Sequence, residues 1–165
     1  MPRGAIAKLN VLVVDPSPHM ASLVGQMLRH LKLKNITEAT SSDEALQALS
    51  ARAFHVMVVN DELAPHGGVA LTRALRKMTD NPNRDAAVIM MSAKPDAAGI
   101  AAARDAGITE FLRKPFAAQH LESRLDSIVS APRPFVEAEA YAGPDRRRRR
   151  AGYTGSERRS LKRPA

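Results

Sequence analysis

Short apolar runs alternate along this chain with longer segments of helical period. The run at residues 55–59 is rich in valine and shows little apolar–polar alternation, and further short apolar runs lie at residues 9–14 and 87–91. Strands of this kind are typical of a parallel sheet that helices cover on both faces. The sequence therefore predicts an α/β fold.

Five strand–helix units follow one another over the first 130 residues. Ser17 before Pro18 predicts the start of helix one, and a capping box at residues 41–44 predicts the start of helix two. The result is a (βα)5 doubly wound, five-stranded parallel sheet of the flavodoxin-like type. We predict strands at residues 9–14, 36–39, 55–59, 87–91 and 110–113, with helices three to five at about 69–78, 95–106 and 117–130.

The positive charge of the chain is concentrated after this unit. The net charge is +8, and residues 133–165 carry 10 basic against 4 acidic side chains. Pro132 and Pro134 mark a boundary, because proline ends a helix and imposes an extended backbone. We expect a domain at 1–131, a linker at 132–140 and a basic tail at 141–165.

Composition excludes several classes of function. The chain has no cysteine, which excludes disulfides, thiolate zinc sites and thiol catalysis. The apolar runs are too short to span a bilayer and the N-terminus lacks the apolar core of a signal peptide, so we expect a cytoplasmic protein. We find no phosphate-binding glycine loop, catalytic triad or metal cluster, and we do not expect an enzyme.

In an open parallel sheet, ligands bind at the carboxyl ends of the strands. Four polar residues follow the predicted strands: Asp15, Asn60, Ser92 and Lys114. With the segments 12–15, 92–93 and 114–116, they carry a resemblance to the CheY-like receiver domains of two-component response regulators. The resemblance covers about residues 8–130. It implies a fold that takes part in signalling.

The resemblance also implies a mechanism, which this sequence matches only in part. In receivers an aspartate after strand three accepts a phosphoryl group, acids after strand one hold Mg²⁺, and a hydroxyl and a lysine bind the phosphoryl oxygens. Ser92 and Lys114 match the last two positions, and Asp15 matches the first acid. The second acid is replaced by Pro16, so we expect Mg²⁺ to bind weakly at most and no metal to be required.

Two residues compete for the acceptor position. An ungapped register that ends at Gly68 assigns this position to Asn60 and points Asp61 elsewhere, whereas the other register needs an insertion and a deletion. We prefer Asn60. An amide is a poor nucleophile, so we predict a degenerate receiver that has lost phosphotransfer.

The tail contains an internal repeat. Tyr141-Ala-Gly-Pro-Asp-Arg-Arg recurs twelve residues later as Tyr153-Thr-Gly-Ser-Glu-Arg-Arg, and the two copies hold both tyrosines of the chain. Low-complexity basic sequence would not space its acids and aromatic residues so regularly. The repeat therefore points to a specific ligand.

The residue types of the repeat suit guanine joined to phosphate. Arginine bonds guanine O6 and N7 or phosphate, a carboxylate accepts from guanine N1–H and N2–H, and tyrosine stacks on the base. Two copies suit a ligand with two guanines and two phosphates, which is cyclic di-GMP. The predicted ligand-binding residues are Tyr141, Gly143, Asp145, Arg146, Arg147, Arg148, Arg149, Arg150, Tyr153, Gly155, Glu157, Arg158 and Arg159.

The tail resembles the arginine-rich stretch of the Cle class, the CheY-like, cyclic-di-GMP-binding regulators of the flagellar motor. The resemblance implies docking on the flagellar motor switch, through helix four, strand five and helix five, and recruitment to the flagellar base. A small-residue face with a strand aromatic agrees with this surface: Ala98, Ala101, Ala102, Ala106 and Phe111. We expect residues 141–159 to become ordered only with ligand.

Two other functions remain open. A conventional phosphorylated response regulator would use Asp61 as the acceptor and would bind Mg²⁺ tightly. A nucleic-acid-binding adaptor would use the tail as a polyelectrolyte, with a steep salt dependence and no preference among nucleotides.

Overall fold

The computed structural model describes residues 2–147, which form a five-stranded parallel sheet between two layers of helices, followed by a β-hairpin. The elements in chain order are α1 (Pro2–Ile6), β1 (Asn10–Val14), α2 (Pro18–His30), β2 (Asn35–Ala39), α3 (Ser42–Ala51), β3 (Val56–Asn60), α4 (Gly67–Lys77), β4 (Ala87–Ser92), α5 (Ala97–Ala106), β5 (Glu110–Arg113), α6 (Ala118–Ser130), β6 (Phe135–Ala138) and β7 (Tyr141–Pro144).

The strand order is β2-β1-β3-β4-β5, and all neighbouring strands are parallel. This order confirms the predicted doubly wound (βα)5 fold. It brings the carboxyl ends of β1 and β3 side by side at the middle of the sheet, where chain connections diverge and ligands bind in folds of this type.

Two apolar cores cover the two faces of the sheet. On one face, Val11 and Val13 of β1 pack with residues of α2 and α6, among them Leu28 and Leu121. On the other face, Leu12 and residues of α3, α4 and α5 form the second core. Residues 56–59 of β3 are fully buried, which explains why the central strands lack apolar–polar alternation.

The helix starts follow the predicted capping signals. The Ser17 hydroxyl accepts from the Met20 amide at 3.2 Å, and the Ser41 hydroxyl accepts from the Glu44 amide at 3.1 Å. A third cap, Asp96, accepts from the Gly99 amide at 2.6 Å and starts α5 two residues later than expected. No described helix is long and apolar enough to cross a membrane.

The structure differs from expectation after α6, where a hairpin replaces an extended linker. β6 and β7 pair antiparallel, with Ala138 opposite Tyr141. Tyr141 and Gly143, which we expected to become ordered only with ligand, therefore lie in a strand. The linker expectation rested on Pro132 and Pro134, but both prolines precede β6, where they do not interrupt its pairing with β7.

The hairpin packs on the domain through two glycines and a buried arginine. Gly107 has φ +102°, and a Cβ there would lie 2.6 Å from the Ala142 carbonyl oxygen, while a Cβ at Gly143 would lie 2.8 Å from the Gly107 Cα. Beneath them the buried Arg76 guanidinium donates to the Gly107 carbonyl oxygen, and burial lowers the pKa of Arg76 to about 10. Glycine at both positions permits this close approach.

The Phe135 ring fixes the other strand of the hairpin. The guanidinium carbons of Arg76 and Arg84 lie 5.6 and 5.2 Å from its centroid, and Arg84 also forms an ion pair of 2.8 Å with Glu137. Arg133 donates to the carbonyl oxygens of Thr109 and Asp145. The hairpin is therefore attached to the domain at both of its ends.

Candidate functional site

A polar cluster lies at the carboxyl edge of the sheet, where the sequence predicts it. Asn60 and Ser92 are the last residues of β3 and β4, while Asp15 and Lys114 follow β1 and β5 directly. Asp15, Asn60 and Ser92 are all less than 9% exposed. We call these residues, together with Asp61, the carboxyl-edge cluster.

An ion pair joins two members of this cluster. Lys114 Nζ lies 2.9 Å from Asp15 Oδ2, and the Asp15 side chain is only 2% exposed. The other carboxylate oxygen accepts from the Ser17 amide at 2.9 Å. Both oxygens of this acid are thus engaged by the protein itself, and the lysine charge is balanced inside the cluster.

Asn60 occupies the end of β3, in agreement with the ungapped register. Its amide donates to the Glu62 carbonyl oxygen at 2.9 Å. A Cβ at Gly68 would collide with the Asn60 carbonyl oxygen, so only glycine fits the start of α4 against this strand. The side chain at the expected acceptor position is therefore a neutral amide turned toward its own loop.

The expectation that Asp61 points elsewhere is wrong. Ser92 Oγ donates to Asp61 Oδ2 at 2.6 Å, so the carboxylate lies inside the cluster. The cause is backbone pairing: the Asp61 amide donates to the Met91 carbonyl oxygen, which sets Asp61 beside the end of β4. Strand alternation cannot predict this orientation, because Asp61 lies one residue beyond β3.

The cluster offers few ligands for a metal ion. Pro16 is exposed and has no side-chain oxygen. Within residues 2–147, no group of three or more histidine, aspartate or glutamate side chains is arranged to hold a metal. Asp15 and Asp61 are the acids nearest to such a role, and they already bind Lys114 and Ser92.

A second candidate site begins on β7, with the first copy of the repeat. Arg146 Cζ lies 4.5 Å from the centroid of the Tyr141 ring, and Arg146 Nη1 forms an ion pair of 2.8 Å with Asp105 at the end of α5. Burial raises the pKa of the Tyr141 phenol, which donates to the Pro144 carbonyl oxygen at 2.7 Å. The aromatic residue and one arginine of the repeat thus lie together against the domain.

The acid of the first copy accepts a hydrogen bond from the backbone of the residue two positions later. Asp145 Oδ1 accepts from the Arg147 amide at 2.9 Å, and the Asp145 amide donates to the Pro134 carbonyl oxygen at 2.7 Å. The other predicted ligand-binding residues lie outside the described residues; they are Arg148, Arg149, Arg150, Tyr153, Gly155, Glu157, Arg158 and Arg159.

Sequence patterns do not predict two residues of this second site. Asp105 ends up beside Arg146, and Arg133 supports the Asp145 backbone. Neither residue belongs to the repeat. Each contact joins residues that are well separated in sequence, so local sequence patterns do not predict it. The one available signal is the position of Arg133 between two prolines, which fixes its backbone.

The small-residue face of α5 is smaller than expected. Ala98 and Ala101 are exposed and Ala102 is half-buried, but Ala106 is only 3% exposed. Ala106 faces the domain because it lies on the same face of α5 as the buried Ala103, three residues earlier. Phe111 on β5 is half-buried beside this face.

Comparison with known proteins agrees with this geometry. A family model of the response regulator receiver domain matches residues 11–126. The chain is 29% identical over 120 residues to the chemotaxis protein CheY of Pseudomonas aeruginosa, covering 73% of this chain and 95% of that protein. It is 26% identical over 125 residues to a probable chemotaxis protein CheY of Rhizobium etli, covering 75% and 95%.

Solved structures show the same fold. The receiver domain of the Francisella response regulator 1452 superposes with a TM-score of 0.67 at 24% identity, covering 74% of this chain and 98% of that chain. A putative two-component system response regulator/GGDEF domain protein superposes with a TM-score of 0.71 at 26% identity, covering 79% of this chain and 53% of that chain. The relatives therefore match the five-stranded unit.

Proposed function

The chain belongs to the response regulator receiver domain family, and from this we propose that it is a signalling adaptor that binds cyclic di-GMP through its arginine-rich segment. In this proposal it works in the cytoplasm, where it docks on the flagellar motor switch and tunes motility. The names of its relatives, which are chemotaxis proteins, support a role in motility.

One observation supports the ligand above all: the first copy of the repeat is assembled on the domain. Arg146 already stacks on Tyr141, and Asp145 is fixed beside Arg147. A guanidinium plane over an aromatic ring is a surface on which a purine base can stack. On the other side of the end of β7, Asp145 provides an acceptor that distinguishes guanine from adenine, so the two bases of the ligand have separate contacts.

The position of this unit supports the docking proposal. Arg146 binds Asp105 on α5, the helix that carries the exposed alanines Ala98 and Ala101. A ligand that takes Arg146 away from Asp105 alters the charge at one end of this helix. The proposed messenger site is therefore next to the proposed docking face.

The carboxyl-edge cluster supports action by binding rather than by catalysis. The acceptor position holds Asn60, and the proline at position 16 supplies no metal ligand. Lys114 and Ser92 bind the carboxylates of Asp15 and Asp61. We therefore propose that the receiver works without phosphorylation and without a required Mg²⁺.

Calorimetric titration of the full chain tests the proposal. We expect cyclic di-GMP to bind, cyclic di-AMP to bind at least tenfold more weakly, and duplex DNA to bind with a steep salt dependence. Equal binding of the two cyclic dinucleotides would remove the guanine assignment and favour the polyelectrolyte function.

A conventional phospho-switch has one observation in its favour. Asp61 lies within hydrogen-bond distance of Ser92, so a carboxylate is present in the cluster after all. Tight Mg²⁺ binding to the full chain, together with a phosphoryl adduct on Asp61, would establish that function in place of the one proposed here.

A further inference from the structure

A cavity lies between the end of α6 and the hairpin, at the amino end of the sheet and opposite the carboxyl-edge cluster. It has a volume of about 320 Å³, within the range of small-ligand sites. We call it the hairpin pocket. Its walls include Glu110, Ser127, Ala131, Arg133, Asp145 and Arg147.

The walls of the hairpin pocket carry both signs of charge in fixed positions. Glu110 is 7% exposed, and its carboxylate accepts from Ser127 Oγ at 3.3 Å. Arg133 is held by the carbonyl oxygens of Thr109 and Asp145. Carboxylates and guanidinium groups that face one small cavity suit a ligand with donors on one edge and acceptors on another.

Two of these wall residues belong to the first copy of the repeat. Asp145 and Arg147 line the hairpin pocket, whereas Arg146, between them in sequence, turns the other way to Asp105 and Tyr141. Successive residues of the repeat thus lie on two sides of the end of β7. The remaining walls come from β5, from α6 and from the connector of residues 131–134 between α6 and β6.

We propose that the hairpin pocket binds one guanine base of cyclic di-GMP. The inference rests on the proposed function and adds that the domain itself forms part of the ligand site. Asp145 accepts from the guanine N1–H and N2–H groups, and Arg147 bonds the O6 and N7 edge. The side chains of Ser127 and Ala131 on one wall and Arg133 on another bound the space that the base fills.

Filling the pocket tests this assignment without touching the repeat. Ala131 is exposed at the end of α6 and lines the pocket, so Ala131→Trp fills its mouth while the helix is retained. Ser130→Trp adds the same side chain one residue earlier, outside the lining, and is the matched control. Both full-length variants are titrated with cyclic di-GMP, and thermal unfolding verifies that each one is folded.

We expect Ala131→Trp to weaken cyclic di-GMP binding at least tenfold and Ser130→Trp to change it less than twofold. Ser127→Leu, which occupies the same space from the other side of the pocket, should also weaken binding and replaces Ala131→Trp if that variant does not fold.

The possible failures are distinguishable. If the wild-type chain binds cyclic di-GMP and the two pocket variants bind it equally well, the pocket assignment is wrong and the proposed function stands. If the wild-type chain does not bind cyclic di-GMP, the proposed function and the pocket assignment both fail.

Discussion

At the scale of single residues, the acid of each repeat copy distinguishes two hypotheses. A guanine-specific site needs this acid, whereas a site that binds any polyanion does not. Asp145 and Glu157 are the acids at matching positions of the two copies. We expect Asp145→Ala or Glu157→Ala to weaken cyclic di-GMP binding by roughly 1–3 kcal/mol, the value of one bidentate base contact. Binding to duplex DNA should be unchanged or stronger, because a negative charge leaves a basic segment.

Glu139 provides the control for these two variants. It is exposed in the turn between β6 and β7 and lies outside the repeat. Glu139→Ala removes the same charge and should leave cyclic di-GMP affinity unchanged. If all three variants bind cyclic di-GMP with the affinity of the wild type, the acids do not recognise guanine.

The carboxyl-edge cluster gives a second prediction at this scale. We expect acetyl phosphate with Mg²⁺ to leave the wild-type chain unmodified, because Asn60 replaces the acceptor and Pro16 replaces a metal ligand. The double variant Asn60→Asp, Pro16→Asp restores both groups and should gain a phosphoryl adduct. Mass spectrometry that finds a base-labile adduct on Asp61 of the wild type would contradict the prediction.

Sequence predicts some of these residues well and others not at all. Asp15, Asn60, Ser92 and Lys114 could be assigned to one edge because parallel strands align their ends. The contact between Asp61 and Ser92 could not, since it depends on where the backbone turns after β3.

At the element scale, the hairpin is the part of the fold that local patterns miss. Its strands are four residues each, and Tyr141-Ala-Gly-Pro holds two residues that disfavour strands. The contacts of Gly143 with Gly107, and of Phe135 with Arg76, fix the hairpin across long stretches of sequence. The starts of α2 and α3 were predictable because each capping serine bonds an amide only three residues further along the chain.

The Phe135 ring should therefore contribute measurably to stability. We expect Phe135→Ala to lower the free energy of unfolding by about 1–2 kcal/mol, because it removes half-buried apolar area and the stacking of two guanidinium groups. Urea unfolding measures the loss. Glu137→Ala breaks only the exposed ion pair with Arg84 and should cost less; an equal loss in both variants would contradict this role of the ring.

The exposed face of α5 gives the prediction for docking. Replacing Ala101 with arginine puts a long charged side chain on the proposed interface and should weaken binding to the flagellar switch protein at least fivefold. Gln47→Arg, on the exposed face of α3, is the control and should bind like the wild type. Unchanged pull-down by Ala101→Arg would move the interface to another face of the domain.

At the scale of the whole molecule, the hairpin connects a receiver domain to a strongly basic segment. Tyr141 to Arg147 are fixed against the domain by the Arg146–Asp105 ion pair and by the Asp145 backbone. In the proposed function, the first repeat copy is already held beside α5, and the ligand recruits the second copy to complete a two-guanine site. The proposal thereby joins ligand binding and docking through one short stretch of chain.

This arrangement predicts where ligand binding changes amide exchange. Residues 148–159 contain five arginines and little apolar surface beyond Tyr153, so ligand contacts must supply the free energy that offsets their ordering entropy. We expect saturating cyclic di-GMP to slow hydrogen exchange strongly across 148–159. In β6 and β7 the change should be small, because their pairing exists without ligand. Cyclic di-AMP at the same concentration is the control. Protection that appears in β6 and β7 alone, or equally with both nucleotides, would contradict recruitment of the second copy.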